Sequence, residues 1–369
     1  MGWKDEPPLL LASASIFFTL SFFLHFPIKG LWLYSDIVNA IWYFSGASLG
    51  GIPYIDYNLE YPALSGIVVY LCSLTRNLYL YYILFSLITY LCMLGSMILL
   101  RRMGRERGIK DYRLAILTVF TPSVLLFSIY SFDWLGVVFL LLSLYLFTKG
   151  YMKGSGFALG LAGAARLIPL LCLPFLLQHA KGWRRRWEIL LSTILGWLIP
   201  NLYFILANFQ GFLYTYTFQA TWGVEDSWLI IFPEQSHFIT LILLPLALLA
   251  ILSLKEKVGV IEKCWLGVMA FVLTSYKFPP QYMILLAPLF ALAYNEYIPY
   301  ILADLLNANI ILWWFIPEFT LGNPLSLKSP VQWIAILRQA LIACIFLKAL
   351  INYWKGGVPG GREAIRSLT

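Results

Sequence analysis

Charged residues are scarce in this sequence. Only 12% of its 369 residues are Asp, Glu, Lys or Arg, whereas 60% are hydrophobic and 17% are aromatic, and the mean hydropathy is +0.78. A soluble globule of this length needs far more polar surface than these residues supply. The composition therefore predicts an all-α polytopic membrane protein, which forms a single membrane domain over residues 1–369.

Cysteine and histidine are also sparse, and neither occurs in the pattern of a redox or metal site. The five cysteines lie inside apolar runs without CxxC spacing, and the three histidines are isolated. We interpret the cysteines as small core hydrophobes rather than as disulfide partners or metal ligands. The sequence therefore predicts no cofactor, and it gives no support for a divalent metal site.

The formal net charge of +8 comes from short basic clusters that lie between apolar runs. This distribution favours contact with membrane lipid and excludes nucleic acid as the partner. The first apolar run, 9–26, lacks both a basic segment before it and a signal-peptidase site. We therefore predict that it is retained as the first transmembrane helix.

Twelve or so apolar segments follow one another along the chain, and each is predicted to form a helix. Their predicted bounds are 9–27, 78–100, 114–130, 134–148, 155–164, 167–179, 188–207, 237–254, 263–276, 281–294, 298–316 and 331–353. We therefore expect about twelve transmembrane helices.

Two regions do not fit simple spans. If 62–75 crossed the membrane, the basic stretch 101–113 would lie on the outer side, against the positive-inside rule. We therefore predict an interfacial or re-entrant helix at 62–75. Segments 155–164 and 167–179 are short and are flanked by basic residues, which predicts a helical hairpin with its tip near Arg166.

This topology places both termini in the cytoplasm and most Lys and Arg residues on the same side. Two long loops, 28–77 and 208–236, are then external and carry most of the external acidic residues. The lack of disulfides and the short C-terminal tail favour a prokaryotic plasma membrane. Any chemistry is expected in these external loops.

Loop 28–77 combines acidic and aromatic side chains. An interfacial aromatic belt would account for most of the rings, but belts favour Lys and Arg over carboxylates. None of the three acids has a base at helical spacing, and a carboxylate beside aromatic rings suits deprotonation of a sugar hydroxyl. The acids are Asp36, Asp56 and Glu60, and the tyrosines interleaved with them include Tyr34, Tyr57 and Tyr61.

Two cations lie in apolar surroundings. Arg166 is in "GLAGAARLIPLLCLPFLL", and Lys277 opens "KFPPQYMILLAP". An unpaired cation near the bilayer centre costs about 2.5–3.5 kcal/mol, so each is expected to have an anionic partner or a wet cavity. The structural alternatives are snorkelling or an internal salt bridge, for Arg166 with Asp133. The functional alternative is a site for a lipid-linked phosphate.

Several of these stretches occur in an order that resembles a known family. The stretches are an Asp soon after the first span, "GGIPYIDYNLEYPAL", "ARLIPLLCLPFLL", "FQATWGVEDSW" and "KFPPQY". They resemble membrane-embedded GT-C glycosyltransferases, in particular the polyprenol-phosphate-mannose-dependent mannosyltransferases that include the mycobacterial phosphatidylinositol-mannoside enzymes. The catalytic subunit of GPI mannosyltransferase I has a more distantly related arrangement.

The resemblance implies inverting transfer of one sugar, with mannose expected, from a polyprenyl-phosphate or dolichyl-phosphate donor to a lipid-linked or glycolipid acceptor on the external face. It implies that Asp36 is the general base, with Asp56 in reserve. It also implies that four residues face the donor phosphate: Arg166, Lys277, Gln281 and Tyr282. The loop residues predicted to contact substrate are Tyr34, Tyr57, Glu60, Tyr61 and Asp226.

The sequence departs from the family pattern at two places. Val38 stands where the GPI enzyme has the second residue of an Asp-x-Asp motif, which weakens a metal-dependent version, and "TWGVEDSW" lacks the Arg that is common before the acidic-Ser pair. Two other classes stay open at this point. One is a transporter or flippase for an anionic lipid, although no paired internal repeats support it. The other is a non-catalytic assembly partner.

Overall fold

The computed structural model describes residues 9–28, 33–255, 257–294 and 296–355, and this part of the chain is all-helical. Its α-helices are α1 Leu9–His25, α2 Ala63–Ser73, α3 Leu78–Glu106, α4 Asp111–Thr118, α5 Pro122–Phe127, α6 Asp133–Thr148, α7 Met152–Ala165, α8 Leu173–His179, α9 Trp183–Ala207, α10 Phe209–Thr221, α11 Ser236–Leu252, α12 Val260–Thr274, α13 Met283–Ala293, α14 Ile298–Trp314, α15 Pro317–Thr320 and α16 Pro330–Trp354. Shorter helical segments are a π-helix at Asp36–Trp42 and 3₁₀ helices at Ala47–Leu49, Ile168–Cys172, Trp228–Ile231 and Pro280–Tyr282. The β pairings within these ranges are isolated bridges, Pro53–Tyr57 and Glu225–Lys277.

Three of the described helices, α3, α9 and α16, are long and apolar enough to cross a membrane. They have 29, 25 and 25 residues, whereas seven other apolar helices have 10–17. A helix needs about 20 residues to cross a hydrocarbon core about 30 Å thick. The prediction of a helical membrane protein is therefore confirmed at this level, but the predicted number of about twelve spans is not confirmed.

The outer surfaces of several helices are apolar. In α11 only Ser236 and Ile251 of the 17 residues are buried, while Leu241 is 73% exposed and Phe238 is 66% exposed. The C-terminal half of α9 also exposes apolar side chains, with Leu206 77% exposed. A soluble protein rarely leaves contiguous surfaces of this kind in water, and they suit contact with lipid chains.

The prediction of one continuous helix over 114–130 is wrong. The chain instead forms α4 and α5, separated at residues 119–121. Pro122 is the first residue of α5, and Thr121 before it has extended backbone, with φ −105° and ψ 140°. A proline lacks an N–H donor and disfavours helical backbone in the residue before it, so it starts a new helix rather than continuing the old one.

Helix α7 packs backbone to backbone on α9. A Cβ atom at Gly160 would lie 2.2 Å from the carbonyl oxygen of Thr193, and one at Gly196 would lie 2.2 Å from that of Phe157. Only glycine permits such an approach, which is a common packing mode between membrane helices. After α7 the backbone of Arg166 is extended, and the chain folds back through Ile168–Cys172.

A buried arginine joins the loops that follow α10 and α12. Arg338 on α16 has no exposed surface, and its guanidinium donates to Asn307 Oδ1 at 2.5 Å. It also donates to the backbone carbonyls of Asp226 at 2.8 Å and Phe278 at 2.6 Å. These three acceptors all lie inside the protein. The role of Arg338 is to hold the two loops against each other.

Candidate active site

One cavity of about 630 Å³ brings together predicted site residues from four distant parts of the chain. They come from the first long loop, the turn after α7, the loop after α10 and the segment before α13. The predicted site residues on its wall are Tyr34, Asp36, Glu60, Tyr61, Arg166, Asp226, Lys277, Gln281 and Tyr282. A volume of 300–1,000 Å³ is usual for a small-molecule site, so the space can hold a sugar with its phosphate.

Asp36 is the first residue of the π-helix and is held by its backbone. Its N–H donates to the carbonyl of Tyr130 at 3.0 Å, and the preceding N–H of Ser35 donates to Asn39 Oδ1 at 3.0 Å. The large apolar side chains of this helix are buried: Ile37, Val38, Ile41 and Trp42. A π-helix is rare and is frequently found at functional sites. The carboxylate is thus placed on the cavity wall by a rigid local structure.

Tyr61 donates a hydrogen bond to the carboxylate of Asp36, with 2.5 Å between its hydroxyl oxygen and Oδ2. Burial raises the pKa of Asp36 to about 7, and nearby Glu60 acts in the same direction. The hydrogen bond from Tyr61 and the charge of Arg166 lower this pKa and oppose the effect of burial. A carboxylate with a pKa near the working pH is well suited to act as a general base.

The backbone around Tyr61 is fixed by a strained neighbour. Tyr54 has φ +66°, in the left-handed region that side chains rarely adopt. Its buried hydroxyl donates to the carbonyl of Tyr61 at 2.6 Å, and Thr215 on α10 donates to the carbonyl of Leu59 at 2.8 Å. These contacts attach the loop to α10 and thereby aim Tyr61 at Asp36.

Arg166 has an internal partner and also lies on the cavity wall. Its guanidinium is 3.0 Å from the carboxylate of Asp133, and it donates a further hydrogen bond to Ser131. The internal salt bridge with Asp133, which the sequence left open as one alternative, is therefore present. The same guanidinium lies 5.0 Å from the ring centroid of Tyr61, the residue whose hydroxyl donates to Asp36. Because one face is held by Asp133, the cation is pre-positioned for an anion in the cavity.

Lys277 lies on the same wall, with loosely held partners. Its Nζ atom is 3.7 Å from Glu225 Oε2 and 4.5 Å from the ring centroid of Trp222. Trp222 also donates to the same carboxylate oxygen at 2.7 Å. The backbones pair too, since Glu225 donates to Tyr276 at 3.1 Å and Phe278 donates to Glu225 at 3.0 Å. The paired backbone holds Lys277 in place, whereas its ammonium group can exchange the 3.7 Å contact with Glu225 for a closer anion.

Two predicted site residues lie away from this cavity. The carboxylate of Asp56 accepts a hydrogen bond from the N–H of Ile52 at 2.7 Å and closes an exposed turn. Tyr57, the next residue, is also absent from the cavity wall. The predicted roles of Asp56 as the reserve base and of Tyr57 as a substrate contact therefore have no counterpart at this cavity.

Glu225 is a site residue that the sequence analysis did not select, since it chose its neighbour Asp226. Asp226 has φ +52°, is 1% exposed and accepts a hydrogen bond from Gln332 at 3.3 Å. Burial raises the pKa of Asp226 to about 8. Glu225 is the one that pairs with Lys277. Nothing in "GVEDSW" indicates which of the two acids pairs with Lys277, because this depends on the left-handed turn at Asp226.

An aromatic ladder on α10 was also missed. Tyr214, Phe218 and Trp222 all lie on the cavity wall, with ring centroids 5.5 Å apart for the first pair and 4.9 Å for the second. Their spacing of four residues places them on one face of the helix. This regular spacing in "YTYTFQATW" was the signal that could have revealed them.

An apolar groove of about 300 Å³ adjoins the cavity. Arg166 and Lys277 lie on the walls of both, as do Glu60, Tyr61 and Tyr282. The groove continues away from the cations along apolar side chains, which include Leu167, Ile168, Leu171, Leu244 and Phe271. The two cations are therefore placed where a polar chamber meets an apolar channel.

Within the described ranges, no three His, Cys, Asp or Glu side chains converge as they would in a metal site. No protein-family model and no curated protein matched the chain. The candidate site thus rests on the geometry of these residues themselves.

Proposed function

We propose that this protein is an inverting GT-C-type membrane glycosyltransferase. It transfers one sugar from a polyprenyl-phosphate donor to a hydroxyl of a lipid-linked or glycolipid acceptor. The observation that carries the proposal is that Asp36 shares one cavity with the cations Arg166 and Lys277. A base and a phosphate site are the two elements that such a reaction requires.

The apolar groove supports a lipid donor rather than a soluble nucleotide sugar. A polyprenyl phosphate has an anionic head and a long hydrocarbon chain. With the phosphate at Arg166 and Lys277, the chain lies along Leu167 and Leu171 in the groove, and the sugar lies in the cavity. Arg166 presents a planar fork to the phosphate oxygens, and Lys277 meets them as a point charge.

In the proposed reaction, the carboxylate of Asp36 removes the proton of the acceptor hydroxyl as its oxygen attacks the anomeric carbon. The bond from that carbon to the phosphate oxygen breaks, and its electron pair leaves with the polyprenyl phosphate. The anomeric carbon passes through an oxocarbenium-like state and is attacked on the face opposite the leaving group, so its configuration inverts. Arg166 and Lys277 stabilise the charge that develops on the phosphate.

The identity of the sugar and the sidedness of the site belong to the same proposal. Mannose follows from the resemblance to polyprenol-phosphate-mannose-dependent enzymes. The topology proposed from the distribution of Lys and Arg places the cavity outside and both termini in the cytoplasm of a prokaryotic plasma membrane. The partners are the lipid donor, the lipid or glycolipid acceptor and the surrounding membrane lipid.

Reconstituted protein provides the test. Vesicles containing the protein receive radiolabelled polyprenyl-phosphate-mannose, with the corresponding glucose, galactose and arabinose donors in parallel, and a lipid extract from the source organism as acceptor. We expect label to move from the donor to a new glycolipid. A transporter would instead move the intact donor across the bilayer without transfer, and an assembly partner would do neither.

We expect the hydrogen bond from Tyr61 to Asp36 to influence the pH dependence of sugar transfer. Asp36 must be ionised to accept a proton, so kcat/KM rises with pH as the carboxyl group with a pKa of about 7 loses its proton. Tyr61→Phe removes a bond that stabilises the ionised form and therefore raises this pKa. A hydrogen bond to a charged group contributes about 1.5–3 kcal/mol, so the acidic limb moves up by about one to two pH units.

The measurement is kcat/KM from pH 5 to pH 9 for wild type and Tyr61→Phe. Tyr57→Phe is the matched control, because that tyrosine is nearby but lies outside the cavity. The control should keep the wild-type profile. An acidic limb that stays in place in Tyr61→Phe would show that Tyr61 does not set the pKa of the base.

A further inference from the structure

A second, polar groove of about 400 Å³ opens from the cavity along α10. Asn58 and Tyr214 lie on the walls of both spaces, so the two are continuous. The other residues on its wall are Asn208, Gln210, Gly211, Leu213 and Thr217. No part of the proposed donor site or of the catalytic group lies in this groove.

The groove and the aromatic ladder lie along one face of α10. Gln210, Tyr214 and Thr217 follow the i, i+4, i+7 spacing of such a face, and Phe218 and Trp222 extend it towards Lys277. Four residues of helix advance by about 6 Å, which is close to the length of one sugar in a glycan chain. We call this continuous surface, from Gln210 to Trp222 and including Asn58, the α10 track.

The α10 track is uncharged. The side chains around its polar groove are amides, hydroxyls and one leucine, without a cation or a carboxylate. Among the described residues, neither Asn58 nor Gln210 has an intramolecular side-chain hydrogen bond, and both are exposed. Free amides suit the hydroxyls of a neutral sugar, and aromatic faces suit its apolar side, whereas a phosphate would need a cation that the groove lacks.

The floor of the groove is rigid. The side-chain amide of Asn208 donates to the carbonyl of Tyr54 at 2.9 Å, and its oxygen accepts from the N–H of Gly211 at 3.1 Å. A Cβ atom at Gly211 would lie 1.9 Å from the carbonyl oxygen of Tyr54, so only glycine allows the loop to sit on α10. The loop that carries Asn58 is thus attached to the start of α10, which carries Gln210.

We propose that the α10 track binds a neutral oligosaccharide headgroup, so that the preferred acceptor is a glycolipid with at least two sugars. The terminal sugar lies in the cavity with its hydroxyl at Asp36, and the preceding sugar lies between Asn58, Gln210 and Tyr214. The proposal rests on the proposed function for the direction of transfer. It adds the class of acceptor, and it assigns the specificity for that acceptor to Asn58, Gln210 and Tyr214 rather than to Asp36 and the two cations.

The first experiment measures binding without a donor. Wild-type protein in nanodiscs free of glycoside detergent is titrated with octyl mannoside and with octyl mannobioside, and binding is followed by saturation-transfer NMR. We expect the disaccharide probe to bind at least tenfold more tightly than the monosaccharide probe. Asn58→Ala/Gln210→Ala should abolish this difference, and a thermal unfolding curve should show that the variant is folded, since both side chains are exposed.

Gln235→Ala is the matched control, because Gln235 is an exposed glutamine outside the groove whose side chain caps nothing. It should keep the tenfold preference. Equal affinity of the wild type for both probes would overturn the proposal, and so would an unchanged preference in the double variant.

Sugar transfer to the same two probes separates this proposal from the proposed function. The wild type should show at least a tenfold lower KM for the disaccharide probe, with the difference lost in Asn58→Ala/Gln210→Ala. Preferential binding of the disaccharide without any transfer would refute the proposed function and leave the α10 track in place. Equally efficient transfer to both probes would refute the track and leave the function in place.

Discussion

Asp36→Asn is expected to lower the rate of sugar transfer by about 10²- to 10⁴-fold, the usual contribution of a positioned general base. Asparagine keeps the shape of the side chain and can still accept the hydrogen bond from Tyr61, but it cannot take a proton. The phosphate site at Arg166 and Lys277 is untouched, so donor affinity should stay within about twofold. Single-turnover kinetics and a donor-binding titration measure the two effects separately.

Asp56→Asn is the matched control for Asp36→Asn. Its carboxylate accepts one hydrogen bond, from Ile52, and an asparagine oxygen can accept the same bond. Transfer by Asp56→Asn should therefore stay near the wild-type rate. If Asp36→Asn kept more than about a tenth of the wild-type rate, or if Asp56→Asn lost as much activity, the assignment of the base would be wrong.

The contrast between Asp36 and Asp56 shows which part of the site could be predicted from the sequence. Sequence analysis selected Asp36 and Asp56 together, since both lie in one aromatic loop without a nearby base. Only the three-dimensional structure shows that the two acids have different positions. The strained backbone of Tyr54 turns the loop so that Asp56 closes an exposed turn while Tyr61 reaches Asp36. No local pattern encodes this result, because it depends on the contact of the loop with α10.

The positions of the helices were easier to predict than their continuity. Long apolar runs located α3, α9 and α16, since burial of apolar side chains in lipid needs little sequence detail. The same signal could not reveal the break between α4 and α5, because Thr121 and Pro122 lie inside one apolar run. Hydropathy averages over such a run, whereas the backbone responds to a single proline.

Buried polar contacts were the least predictable feature. Arg338 lies in an apolar stretch of α16, and its partners include carbonyl groups more than 50 residues away in sequence. A carbonyl acceptor has no sequence signature, since every residue carries one. The bridge between Arg166 and Asp133 could be foreseen because both partners carry opposite charges in apolar surroundings. Sequence analysis thus finds charged partners more readily than backbone partners.

Arg166→Gln is expected to have two large effects that a second substitution can separate. The Arg166 and Asp133 side chains are only 13% and 4% exposed, and loss of one partner of such a pair typically costs about 3–5 kcal/mol of stability. Loss of a charge-assisted bond to the phosphate, about 1.5–3 kcal/mol, should also weaken donor binding by roughly 10- to 100-fold. Thermal unfolding in detergent and a donor titration measure these two losses.

Asp133→Asn in the Arg166→Gln background removes the uncompensated buried carboxylate, so it should restore most of the stability. It should not restore donor binding, because the cavity still lacks the guanidinium. Arg184→Gln is the control for the same chemical change at a pair where the arginine is 91% exposed, and it should alter stability by less than about 1 kcal/mol. Recovery of donor affinity in the double variant would show that Arg166 acts by balancing Asp133, and that the phosphate is held elsewhere.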